Sequence, residues 1–159
     1  MFWWKKSGRA DRLGAAVRSN ITRHGQHVMS VTEGSGPCDG DFVYTVGNHG
    51  AGMPELLITG KISRSFAPVL NHLGKLQRDR GFGFRDGEIV SLGGKHPVHM
   101  VDAGEAGRTQ RALFVASFYG TCDFALLQVI CPDSEGRWPD DPACAEGFSS
   151  QRIMKDTPA

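Results

Sequence analysis

The segment Phe124-Ala125-Leu126-Leu127-Gln128-Val129-Ile130-Cys131 constrains the fold more than any other. It is apolar throughout except at Gln128, with none of the in-and-out alternation of a strand that keeps one wet face. It therefore predicts a central strand buried on both sides. With 159 residues, 40% of them hydrophobic, the chain has material for one core, and two domains would each lie near the lower size limit for independent folding.

Other elements can be set around that strand. In the segment 41–47, Phe42, Tyr44 and Val46 share one face and Val43 and Thr45 the other. A glycine-rich loop then leads to Pro54-Glu55 and the run Leu56-Leu57-Ile58-Thr59-Gly60, and adjacent strands of this kind pair antiparallel. Shorter strands are predicted at 27–33, 88–92 and 97–103. Asp11 caps a helix with Leu13, Val17 and Ile21 on one stripe, ending at His24-Gly25, where glycine can take the left-handed closing conformation. A second helix over 65–78 carries Phe66, Val69, Leu70, Leu73 and Leu76, with Pro68 in its first turn. A third covers 109–119 and closes on Gly120. Residues 34–40 and Gly81-Phe82-Gly83-Phe84 read as loops, the second of them mobile. The expectation is an α+β fold, a single, largely antiparallel sheet with about three helices packed on it. Residues 1–10 form a flexible basic and aromatic arm, 11–145 the domain and 146–159 a loosely ordered tail.

Several function classes are disfavoured. The formal charge is +1, so no global field attracts nucleic acid or an anionic membrane, although Lys5, Lys6, Arg9, Arg12, Arg18 and Arg23 make the N-terminal stretch basic. No apolar run is long enough to span a bilayer, and Met-Phe-Trp-Trp-Lys-Lys is followed by no secretory apolar core. A cytoplasmic setting follows, with Cys38, Cys122, Cys131 and Cys144 as thiols. Neither His24/His27 nor His96/His99 suits chelation on a strand, where residues three apart point oppositely, and no metal or cofactor is expected. There is no Gly-x-Ser-x-Gly elbow and no P-loop.

Two polar residues interrupt otherwise apolar strands. Glu55 shares a face with Leu57 and Thr59; if that face is covered, its carboxylate needs donors or its pKa rises. Gln128, if buried, must likewise find partners. Tyr44, Thr45 and Tyr119 add hydroxyls. If the strands of Tyr44, Glu55 and Gln128 are neighbours, a polar pocket forms between them, against the alternative of a satisfied internal network.

The run from Asn20-Ile21 through His24-Gly25, then Phe42 to Gly47 and Met53-Pro54-Glu55-Leu56 to Gly60, resembles the bacterial domain-of-unknown-function family 4262 (DUF4262). Phe118-Tyr119-Gly120, Leu127-Gln128-Val129 before Pro132-Asp133, and Gly136-Arg137-Trp138-Pro139 extend the resemblance to about residues 18–142. Gln26 stands where the family commonly has an aromatic, Asn48 where it has leucine, Met53 where it has histidine, and Cys131 where an aromatic often precedes Pro-Asp. The resemblance implies a compact bacterial cytosolic domain and points to His24, Tyr44, Thr45, Glu55, Tyr119 and Gln128. The expected function is a non-catalytic binding or interaction protein, in conflict, immunity or regulation, with a protein partner or small ligand. Exposed Phe2, Trp3 and Trp4 beside Lys5 and Lys6 suit a partner contact. The alternatives are a hydrolytic small-molecule enzyme around Glu55, Tyr44 and Gln128, and nucleic-acid binding through the basic N-terminal helix.

Overall fold

The computed structural model describes residues 8–32 and 40–157. Along the chain run α1 (Gly8–His24), β1 (His27–Val31), β2 (Phe42–Val46), β3 (Glu55–Thr59), α2 (Ala67–Arg80), β4 (Ile89–Val90), β5 (Val98–Asp102), α3 (Gly104–Gln110), α4 (Leu113–Tyr119), β6 (Leu126–Ile130) and α5 (Glu146–Ser149). Phe2, Trp3, Trp4, Lys5 and Lys6 lie outside the described residues, as does nearly all of the loop 34–40.

One six-stranded sheet has the order β1-β2-β3-β6-β5-β4. Every neighbouring pair is antiparallel except the middle one, β3 with β6, which is parallel. The sheet is therefore largely antiparallel, as the sequence suggested, but mixed through this one parallel junction. After β3 the chain crosses over through α2, β4, β5, α3 and α4, and such a crossover can return a strand running in the same direction. The apolar strand β6 lies at the centre and is buried along its whole length, as are β2 and β3.

Alternation along the strands builds two cores. On one face Val43, Leu56, Ile58, Met100, Leu127 and Val129 meet Leu70 and Leu73 of α2. On the other, Phe42, Tyr44, Val46, Leu57 and Leu126 meet Val17 of α1, Ala106 of α3 and Val115 of α4. The described residues hold five α-helices, where the sequence suggested about three. The helix expected over 109–119 begins earlier and divides, because Arg111 (φ −121°, ψ −66°) and Ala112 (φ −80°, ψ 49°) leave helical geometry. In an unbroken helix Ala106 and Val115, nine positions apart at about 100° per residue, would point to opposite sides. The break lets both reach the sheet, where they are almost wholly buried.

Asp11 lies inside the first turn of α1 and does not cap it. The stripe of α1 is uneven, with Val17 fully buried and Leu13 36% exposed. The loop after α2 is pinned: Phe84 is buried, Gln77 Oε1 accepts from the Phe84 N–H, and the Arg80 guanidinium packs over the rings of Phe82 and Phe84. The segment after Ser149 is also built onto the sheet. Met154 is fully buried and its N–H donates to Gln128 Oε1, so residues through Thr157 are far from the loose tail that their composition suggested. No helix among the described residues is long and apolar enough to cross a membrane.

Candidate functional site

Pairing between β2 and β3 stops at Tyr44 and Leu57, and the chain between them turns back over the end of the pair. Glu55 sits inside this turn, fully buried. Its Oε1 accepts from the Thr45 hydroxyl (2.7 Å) and the Asn48 N–H (3.1 Å), and its Oε2 from the N–H groups of Gly47 (2.9 Å) and His49 (3.0 Å). Burial pushes the Glu55 carboxyl above the usual carboxylate range, and the His49 N–H, the Thr45 hydroxyl and the N–H groups of Gly47 and Asn48 act against that push. Every one of these neighbours donates. The Thr45 oxygen already accepts from the Leu56 N–H and the Asn48 amide, which leaves its proton for Glu55. The pocket is thus shaped for an ionised carboxylate whose accepting positions are taken by the turn itself.

The polar chain continues outward. Asn48 Nδ2 donates to Gln26 Oε1 (2.8 Å), and both residues are buried. Arg78 Nη1 donates to Asn48 Oδ1 (2.6 Å) and Gln26 Oε1 (3.0 Å), while Nη2 donates to the His24 carbonyl (3.0 Å). Gln26 Nε2 in turn donates to the Leu70 carbonyl and Asn71 Oδ1. Two glycines make room for this cluster. A side chain at Gly25, which closes α1 at φ 85°, would place its Cβ 2.4 Å from Arg78 Nε. At Gly74, inside α2, a Cβ would stand 1.9 Å from Gln26 Oε1 and 3.0 Å from Arg78 Nη1.

Glycine within a helix normally costs about 1 kcal/mol relative to alanine. Here the sign reverses. Gly74→Ala must displace a Gln26 amide that is tied down by Leu70, Asn71, Asn48 and Arg78. Crowding of this kind costs roughly 1–3 kcal/mol, so after the helix gain of about 1 kcal/mol the expected net result is a loss of up to about 2 kcal/mol. Urea unfolding of Gly74→Ala against the parent measures it; a gain in stability would show that Gln26 moves aside freely.

Arg78 and Gln26 form part of the lining of a cleft of about 700 Å³ beside the edge strand β1. Asn20, Arg23 and His24 of α1 border it, with His27 and Val28 of β1 and Asn71, Lys75 and Asp79 of α2. Asn20 Nδ2 donates to His27 Nδ1 (2.7 Å), which places the proton of a neutral His27 on Nε2. Burial lowers the His27 pKa, which favours that neutral form. Lys75 and Asp79 pair at 2.6 Å.

The six residues singled out from sequence do not meet at one point. Thr45 and Glu55 touch directly, and Tyr119 stands at the far side of their turn, accepting from the Gly50 N–H (3.2 Å) with its ring edge-on to His49. His24 joins through its carbonyl to Arg78 and borders the cleft. Tyr44 turns to α4, where its oxygen accepts from the Phe114 N–H; it borders a separate apolar cleft of about 510 Å³ with Leu113, Phe114 and Cys122. Gln128 donates to Thr59 Oγ1 and the Arg152 carbonyl, and shares no hydrogen-bond partner with Glu55. Tyr44, Glu55 and Gln128 therefore do not converge on one pocket. Sequence reasoning missed Gln26, Asn48, Gly74 and Arg78 as a cluster. Gly74, an isolated glycine in an otherwise good helix, was the one available signal.

The family model described as Domain of unknown function (DUF4262) matches residues 20–145, and the chain belongs to that family. No curated protein and no solved structure matches it.

Proposed function

We propose that this DUF4262 member is a non-catalytic binding domain that receives a small ligand or a protein segment in the cleft beside β1. The observation that carries this reading is the condition of Glu55. Acid–base work needs a carboxylate able to exchange a proton with a substrate, and this one is fully buried with four donors of its own turn around it. The cleft, by contrast, is open, of metabolite size and lined by side chains with hydrogen-bonding groups to offer. The family resemblance supports a bacterial, cytoplasmic setting, and free thiols at Cys122, Cys131 and Cys144 suit a reducing compartment.

Amide spectra of the ¹⁵N-labelled full chain, recorded with and without a fractionated small-molecule extract, test the reading. Shifts are expected at Asn20, His24, His27, Asn71, Lys75 and Arg78, with the retained compound unchanged in mass after incubation. Consumption of that compound, or shifts confined to Tyr44, Phe114 and Cys122, would overturn it.

A further inference from the structure

We infer that the cleft beside β1 is an anion site, taking a small ligand whose carboxylate or phosphate group sits on the Arg78 guanidinium. The inference rests on the binding role proposed above and names the chemistry of what is bound.

Charge comes first. Arg23, Lys75 and Arg78 border the cleft; two carboxylates oppose them through space, Asp79, which is paired with Lys75, and the buried Glu55. Arg78 is half-buried, and among the described residues no carboxylate lies within ion-pair distance of it. Its three bonds run to the neutral oxygens of Gln26, Asn48 and His24. Glu55 stands behind Asn48, its own oxygens occupied by the turn. A guanidinium has five N–H groups, so the Nε–H and one Nη2–H remain for a ligand.

Preorganisation comes second. The three acceptors fix the plane of the guanidinium, and the missing side chains at Gly25 and Gly74 allow it to lie where it does. A fork held in this way loses little freedom when it meets two oxygens of a carboxylate or phosphate. The neighbouring groups have donors as well. His27 carries its proton on Nε2, and Asn71, whose oxygen is engaged by Gln26, keeps its amide hydrogens. A lining rich in donors is complementary to a ligand rich in acceptors.

The test uses the ¹⁵N-labelled full chain, following the Arg78 Nε–H and the amides of Gly25 and His27. Inorganic phosphate and succinate are titrated separately, with chloride keeping ionic strength constant. A saturable response at these three positions is expected from at least one anion. Arg78→Gln is expected to weaken it at least about tenfold, and Arg78→Lys by less, because it keeps charge without the fork. Phosphate alone indicates a phosphate-bearing ligand, succinate alone a carboxylate, and both together the shared chemistry; each supports the proposal. A linear, non-saturating response to both anions, or unchanged affinity in a folded Arg78→Gln, overturns it. Should that variant fail to fold, the titration of the parent's own Arg78 Nε–H decides. A neutral compound seated in the cleft while both anions fail would sink the anion chemistry and leave the binding role standing.

Discussion

Replacing Glu55 with alanine lowers the stability of the fold by about 4 kcal/mol or more, since each buried donor left without a partner costs roughly 1–3 kcal/mol. Four donors lose their acceptor at once: the Thr45 hydroxyl and the N–H groups of Gly47, Asn48 and His49. Water cannot readily replace the carboxylate, because Thr45, Gly47 and Asn48 are themselves buried. Against a total stability of about 5–15 kcal/mol, such a loss lowers the melting temperature by roughly 10 °C. Glu55→Gln keeps one accepting oxygen but turns an NH₂ group toward N–H donors, and about half the loss is expected. Urea unfolding curves give both values. A Glu55→Gln protein as stable as the parent would mean that the carboxylate does not hold the turn, and would reopen the case for a chemical role.

The second large effect belongs to Gln128. Gln128→Leu keeps a similar volume at the centre of β6 but leaves the Met154 N–H without a partner, removes the donor to Thr59 Oγ1, and reduces the Arg152 carbonyl to its bond from the Thr59 hydroxyl. The expected cost is about 3 kcal/mol. It is local in character, since the segment carrying fully buried Met154 is tied to the sheet through this side chain. Hydrogen exchange should show residues 151–157 losing protection while β3 and β6 keep theirs. Equal loss across the sheet would place the role of Gln128 in the strand pairing and not in the tail.

These two residues show what the sequence could and could not reveal. An isolated charge beside Leu56-Leu57-Ile58 and an isolated amide within an apolar strand are visible because they break a pattern, and the structure buries both. Their partners were not visible. Glu55 is held by backbone N–H groups whose directions depend on the turn geometry, and Gln128 by a segment with no hydrophobic period of its own. The stripes of α2 and the alternation of β2 were likewise readable, since local period reflects local burial. The parallel β3–β6 junction was not, because period says how a strand is covered and nothing about which strand lies beside it. The cluster of Gln26, Asn48 and Arg78 joins polar residues from three separate segments, each unremarkable in its own surroundings.

The strand order has a kinetic consequence. β1, β2 and β3 follow one another in sequence and in space, and so do β4, β5 and β6, so each trio is a meander, the second with α3 and α4 inserted between β5 and β6. The two meanders meet along a single seam, where Thr59 and Gln128 touch although 69 residues apart. Pairing within each half closes shorter loops than pairing across the seam, so the step that aligns the two edges is expected to set the pace of folding.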